Sequence, residues 1–177
     1  MIIGITGKAG AGKTTAANML IKEFNNKAII IPFAKPLKDF ARKLGWNGKK
    51  DEKGRRLLQL LGTDVARKCI DEDIWVQHWK KFQEEYDSFE NLDGTKDCDH
   101  YIADDVRFAN EADFILGQKG LVIKIVGREY DNVDSTHESE QDIPNYLIDC
   151  VIDNNSDLED LKVKVAHFVN SSIKEQL

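Results

Sequence analysis

The segment Met1-Ile2-Ile3-Gly4-Ile5-Thr6-Gly7-Lys8-Ala9-Gly10-Ala11-Gly12-Lys13-Thr14-Thr15 decides how the rest of the chain is read. Met1–Ile5 is a short apolar run closed by a glycine-rich turn, as expected of a buried strand. Apolar residues then recur at Ala16, Ala17, Leu20, Ile21 and Phe24, which is helical spacing over Lys13–Phe24. Between strand and helix, Gly7–Thr14 fits the pattern G-x-x-x-x-G-K-[ST]. Glycines let backbone N–H groups turn around a phosphate without Cβ clashes, and the helix start adds a positive dipole. The Lys13 ammonium is suited to bridge β and γ phosphates, and the Thr14 hydroxyl to complete a Mg²⁺ shell. Gly7, Ala9, Gly10, Ala11, Gly12, Lys13, Thr14 and Thr15 are therefore the expected triphosphate site.

Outward from this loop the chain alternates short apolar runs with helical patterns. Ala28–Ile31 is a second strand candidate, and Pro36 opens a helix with Leu37, Phe40, Ala41 and Leu44 inward. Gly45–Gly54 reads as a basic loop. Arg55–Lys68 reads as a helix with Leu57, Leu58, Leu60, Leu61 and Val65 inward and Arg56, Gln59, Thr63 and Arg67 on a polar face. Asp73–Tyr86 is a further helix, and Ser88–Asp99 an exposed acidic loop. His100–Ala103 is a third strand, Asn110–Gln118 a helix, Leu121–Val126 a fourth strand and Leu147–Ile152 a fifth. Asp157–Ser171 closes the series as a helix. Arg128–Asn145 is polar, aperiodic and too long for a simple connector, which suits a lid. Strands separated by helices predict an α/β fold with a parallel five-stranded sheet between helical layers.

Composition narrows the function classes. Residues 1–83 carry 17 Lys+Arg against 8 Asp+Glu, and residues 84–177 carry 8 against 23. This is no pattern for wrapping a nucleic-acid backbone; it suits a local anion site in the first half. No run is long enough to span a bilayer, no signal peptide is read, and the expected location is cytoplasmic. Cys69, Cys98 and Cys150 suggest reduced thiols. The base-reading N-K-x-D of GTPases is missing, and Asp51-Glu52-Lys53-Gly54 follows no strand. At 177 residues the chain favours a small-molecule kinase over motor-type ATPases. Either carboxylate of Tyr101-Ile102-Ala103-Asp104-Asp105 can serve Mg²⁺ at a strand end. Arg107 and Arg128 are placed to neutralise charge on a transferred group, and Lys35, Lys38, Arg42 and Lys43 cluster after the second strand.

Several segments together carry a family resemblance. They are the Gly7–Thr15 loop, Pro32-Phe33-Ala34-Lys35-Pro36-Leu37-Lys38 and Leu57-Leu58-Gln59-Leu60-Leu61-Gly62-Thr63-Asp64-Val65-Ala66-Arg67. Asp73-Ile74-Trp75, Asp105-Val106-Arg107-Phe108-Ala109-Asn110-Glu111-Ala112, His137-Glu138-Ser139-Glu140 and Ile152-Asp153-Asn154-Asn155 complete the set. In this order they resemble the phage-type deoxynucleoside monophosphate kinases, a branch of the P-loop kinases. The resemblance implies phosphoryl transfer from ATP to a dNMP with Mg²⁺, in a host cytoplasm if phage-encoded. It implies a core (1–34, 98–127, 146–177), a monophosphate-binding region (about 35–90) and a lid (about 128–145). It favours Asp105, with Thr14, as the metal ligand, and Lys13, Arg107 and Arg128 as the catalytic cations. It also implies monophosphate contacts at Phe33, Lys35, Arg56, Gln59, Gly62, Thr63, Trp75 and Arg107, and adenine contacts at Asn154 and Asn155. The expected partners are small nucleotides, with no nucleic acid or membrane; a homodimer stays open. A kinase for another phosphorylated acceptor such as dephospho-coenzyme A, or a nucleotide-dependent switch, is the alternative reading.

Overall fold

The computed structural model describes residues 1–88, 98–127 and 137–173. Five strands, β1 (Ile2–Thr6), β2 (Ala28–Ile30), β3 (His100–Ala103), β4 (Leu121–Gly127) and β5 (Cys150–Asn154), form one parallel sheet in the order β2-β3-β1-β4-β5. Among the described residues six α-helices accompany them: α1 (Lys13–Glu23), α2 (Lys35–Lys43), α3 (Glu52–Gln59), α4 (Ile74–Ser88), α5 (Ala109–Gly117) and α6 (Leu158–Phe168).

The pleat sorts the sheet's side chains onto two cores. Ile3 is level with Ile102, and Ile5 with Ile123; all four pack with Ala16, Ala17 and Leu20 of α1 and Leu161 and Val165 of α6. Ile2, Tyr101, Ala103 and Val122 point the other way and pack with Val76 and Trp79 of α4 and Ala112 and Ile115 of α5. Helices thus cover both faces over the central strands, as a parallel sheet requires, while Val151 on the edge strand β5 stays exposed. Trp79, 1% exposed, donates its indole N–H to the Ile31 carbonyl at 2.7 Å, so burial leaves no polar orphan there. The α/β fold with its sheet between helical layers is as the sequence predicts.

Two boundaries differ from expectation. The loop after α2 ends earlier, because Asp51 caps α3 by accepting from Gly54 N at 2.8 Å. The fifth strand starts at Cys150, because Leu147 turns into the second core while Asp149 makes the first contact with β4. Asp149 N donates to Val122 O and its carboxylate accepts from Val122 N.

The largest departure is in the 55–68 helix. α3 gives way at Leu60 to a π-helical segment, Leu60–Ile70. Its i→i+5 bonds widen the turn, so a stripe counted at 3.6 residues loses phase. Leu60 (37% exposed) and Val65 (48%) lie outward, whereas Gly62, Thr63, Ala66 and Arg67 are buried. The polar face of the sequence reading is in part the inward face, made possible by an acidic partner for Arg67 on α5. Most of the Ser88–Asp99 stretch (89–97) and the first half of the expected lid (128–136) lie outside the described residues.

Candidate active site

The site is built at the C-terminal edge of β1 and β3, where open parallel sheets expose backbone and loops to ligands. After β1, Gly7, Gly10 and Gly12 adopt φ of +133°, +85° and +101°. A Cβ at Gly7 would stand 2.3 Å from the Ile125 carbonyl oxygen, so the loop lies flush against β4 only without a side chain. No side chain caps α1, which leaves its first-turn N–H groups to an anion. Lys13 Nζ donates to Gly7 O at 2.6 Å and Lys8 O at 2.8 Å, arching over the loop it serves. Burial and then the nearby Arg107 charge lower its ammonium to about 8; Glu140, Asp105 and Asp104 pull the other way.

The two aspartates after β3 separate as strand alternation demands. The sequence expectation paired Asp105 with Thr14, but it is Asp104 Oδ2 that accepts from Thr14 Oγ1, at 2.8 Å. Burial, then Asp105, raises the Asp104 carboxyl, while the Thr14 hydroxyl, Lys38 and Lys13 oppose the shift. Asp105 faces the opposite way. It accepts from Phe33 N at 2.7 Å and Ala34 N at 3.2 Å, and Lys38 Nζ lies 3.6 Å from it. Asp105 thus clamps the approach to α2 onto the sheet edge.

Arg107 follows, anchored through its main chain and its side chain. Its backbone N donates to Glu111 Oε2 at 2.8 Å, its guanidinium NH1 donates to Ser139 O at 2.6 Å, and the same nitrogen pairs with the Glu140 carboxylate at 2.8 Å. Glu111 sits in the first turn of α5 and also accepts from Phe108 N at 3.2 Å. Its other oxygen takes Arg67 NH2 at 2.5 Å, in a pair whose side chains are only 5% and 4% exposed. Arg67 NH1 reaches Glu72 O and Asn110 Oδ1, and the guanidinium lies 3.8 Å above the Phe108 ring. Burial pushes the Glu111 carboxyl up to about 7, against the pull of Arg67 and the Arg107 and Phe108 N–H groups. This buried pair ties the π-helical segment to the turn that carries Arg107.

The expected acceptor residues divide. Gly62, Thr63 and Trp75 come together: Trp75 Nε1 donates to Gly62 O at 2.9 Å, and Gly62 and Thr63 are buried. Gln59 is half-buried just before them, and Arg56 is exposed. Phe33 is a core residue, 2% exposed and 5.7 Å from the Trp79 ring, with its backbone N on Asp105. Lys35 pairs with Asp39 at 2.7 Å and lies over the Phe82 ring, which places its tip on the surface of α2. Asn154 donates from Nδ2 to Ala11 O at 2.8 Å, so its side chain braces the glycine-rich loop. The Asn155 side chain bonds Asp153. Arg128 lies outside the described residues.

Glu111 and Glu140 were not singled out by residue type or spacing. A glutamate at the third position of a helix was the available signal for Glu111. For Glu140 the signal was only its place in the His-x-Ser-Glu segment, and nothing local reveals that this segment returns to Arg107.

Comparison with known proteins accords with this geometry. A family model described as deoxynucleotide monophosphate kinase matches residues 41–165. A protein of Acanthamoeba polyphaga mimivirus, provisionally named a deoxynucleotide monophosphate kinase, is 30% identical over 97% of each chain. The deoxynucleotide monophosphate kinase of Escherichia phage RB69 is 32% identical over 63% of this chain and 42% of its own length. The deoxynucleoside-5'-monophosphate kinase of Escherichia phage T5 is 27% identical over 68% and 47%. Each phage match therefore spans less than half of the phage protein. A glycine-rich phosphate loop on a parallel sheet, matched along most of the chain by these relatives, leads to one assignment: the chain belongs to the deoxynucleotide monophosphate kinase family.

Proposed function

We propose that this kinase transfers the γ-phosphoryl group of ATP to the phosphate of a deoxynucleoside monophosphate, yielding ADP and a dNDP, with the site residues acting as follows. The observation that carries the reading is the Thr14–Asp104 contact, a hydroxyl and a carboxylate held 2.8 Å apart between the glycine-rich loop and the end of β3. Hard oxygen donors of this kind fit Mg²⁺, which characteristically keeps few protein ligands and takes the rest from phosphates and water. When bound there, Mg²⁺ neutralises charge on the β- and γ-phosphate oxygens.

The chain's own residues supply positioning and charge. The loop amides and the α1 N-terminus cradle the phosphates of ATP, and Lys13 leaves its carbonyl contacts to follow the transferring group. Arg107 faces the same group from the sheet edge. An oxygen of the acceptor monophosphate attacks the γ-phosphorus while the bond to the β-phosphate oxygen breaks, and that oxygen leaves with ADP. The acceptor is already a dianion near neutral pH, so no general base is needed, and barrier lowering comes from orientation and electrostatics. The region about 35–90, with Gly62, Thr63, Trp75, Gln59 and Arg56, holds the acceptor, and about 128–145 serves as the lid, with Arg128 as a further cation. Asn154, which ends β5, and Asn155, which follows it, are the residues assigned to the adenine end of ATP.

The test is ADP formation from ATP and Mg²⁺ with dAMP, dGMP, dCMP and dTMP supplied singly. Turnover with at least one acceptor, abolished by Lys13→Ala, is the expected result. Absence of turnover with all four sinks the reading, and greater turnover of dephospho-coenzyme A would reassign the acceptor.

A further inference from the structure

Within the lid, the His137-Glu138-Ser139-Glu140 segment is given no residue role in the reading above, yet it ends against the arginine that the reading depends on. The turn is held locally: Ser139 N donates to His137 Nδ1 at 3.1 Å, and the Ser139 hydroxyl lies 2.9 Å from the same nitrogen. This fixes Ser139 O and the Glu140 carboxylate on one side of Arg107. Both meet NH1: Ser139 O accepts its hydrogen bond at 2.6 Å, and Glu140 Oε1 forms an ion pair with it at 2.8 Å. Among the described residues, the NH2 and Nε edge has no partner. A guanidinium held at NH1 by a carbonyl and a carboxylate is restricted in its range, and its other edge presents a fork of parallel N–H donors suited to phosphate oxygens.

Glu140 is also the stronger anchor of the two. Its side chain is only 15% exposed against 32% for Arg107, so the carboxylate is the fixed partner and the guanidinium the held one. It lies near enough to Lys13 to raise that ammonium's affinity for its proton. The carboxylate therefore stands behind both cations of the transfer site.

We propose that Glu140 is a positioning residue for phosphoryl transfer: through NH1 it locks the Arg107 guanidinium so that its free edge meets the transferred phosphate. The inference rests on Arg107 serving the transfer site. A charge pair of this kind holds a flexible side chain in one geometry, and lost orientation appears in kcat when the interaction matters only in the transition state.

The experiment is a double-mutant cycle on the full chain, with steady-state kcat and KM for ATP and for the best dNMP, and a melting curve for each variant. Arg107→Ala is expected to lower kcat by about 10²–10³. Glu140→Ala should lower kcat by about 10–100-fold with both KM values within about threefold of the parent. Glu140→Gln, which keeps an acceptor for NH1 in the same shape, should recover most of that loss. In the Arg107→Ala background, Glu140→Ala should cost little further, because its route through Arg107 is gone. Full activity of Arg107→Ala would refute the transfer-site reading itself. If instead Arg107→Ala is impaired and the two losses multiply, the site reading survives and the positioning role falls. It also falls if Glu140→Gln recovers nothing, since charge near Lys13 would then set the rate. An unchanged kcat with tighter ATP binding in Glu140→Ala overturns it too, by showing that the carboxylate merely competes with phosphate.

Discussion

The Arg67–Glu111 pair offers a sharp test of the buried electrostatics, because its two halves fail differently. Arg67 cannot give up its proton, whereas Glu111 can take one up. In Glu111→Gln the guanidinium stays charged and buried, and one amide oxygen must replace a carboxylate that serves Arg67 NH2, Arg107 N and Phe108 N. Breaking a buried pair from one side costs about 3–5 kcal/mol, and one retained hydrogen bond returns about 1 kcal/mol. The expected loss of about 2–4 kcal/mol lowers Tm by about 5–15 °C for a chain of this size.

In Arg67→Met the burden moves to the carboxyl. Glu111 already stands at about 7 in the folded protein, above its ordinary 4.5. The folded state therefore holds an extra proton between those values, and wild-type stability falls as pH rises through that window and levels off above it. Without Arg67 the folded value climbs further, toward the ~8–9 of buried glutamates, and the falling window extends with it. Relative to wild type, Arg67→Met should lose a further ~1.4 kcal/mol for each pH unit above 7, up to the new value. Urea unfolding followed by tryptophan fluorescence at pH 6, 7, 8 and 8.5 reads this directly. A difference from wild type that stays flat from pH 6 to 8.5 would refute the coupling of Glu111 to Arg67 on which the reasoning stands.

Other consequences are open to equally direct measurement. Because Lys13 stands at about 8 in the free enzyme and bound phosphates favour its charged form, ATP affinity should fall as pH passes 8, by at most about tenfold per unit; calorimetric titrations at pH 7, 8 and 9 giving one affinity would count against it. Asp104→Asn should lower kcat by about 10²–10³ and raise the Mg²⁺ requirement, whereas Asp105→Asn, which loosens the Phe33–Ala34 clamp, should chiefly raise KM for the dNMP. Equal effects on both parameters in the two variants would undo that division of labour. Gly12→Ala places a Cβ 2.4 Å from Asn154 Nδ2 at a φ of +101°. It should cost about 1–3 kcal/mol and weaken ATP binding, and a melting curve unchanged from wild type would show the loop to be more forgiving than its geometry.

Much of this protein was legible from residue order alone, for local reasons. The glycine-rich loop announces itself because its chemistry needs glycines, a lysine and a threonine at fixed offsets, and its flanks show strand and helix periods. All five strands and the helices on both sides of the sheet followed from short-range apolar spacing. What spacing could not supply was anything set by a partner distant in sequence. Asp104 and Asp105 are adjacent and chemically alike; only the register of β3 beside β1 sends one to Thr14 and the other to Phe33 and Ala34. Arg67 read as a surface charge because its partner lies 44 residues away on α5. The widening of the helix at Leu60, which turned the counted stripe outward, has no marker in the local pattern. Glu140 meets Arg107 across a long stretch of chain, which no local pattern records. The sequence by itself determined the glycine-rich loop between strand and helix and the layered fold, since both are written in contacts a few residues long. Which carboxylate meets Thr14, and which acids hold the arginines, the tertiary structure decided, because those pairings exist only once distant strands are in register.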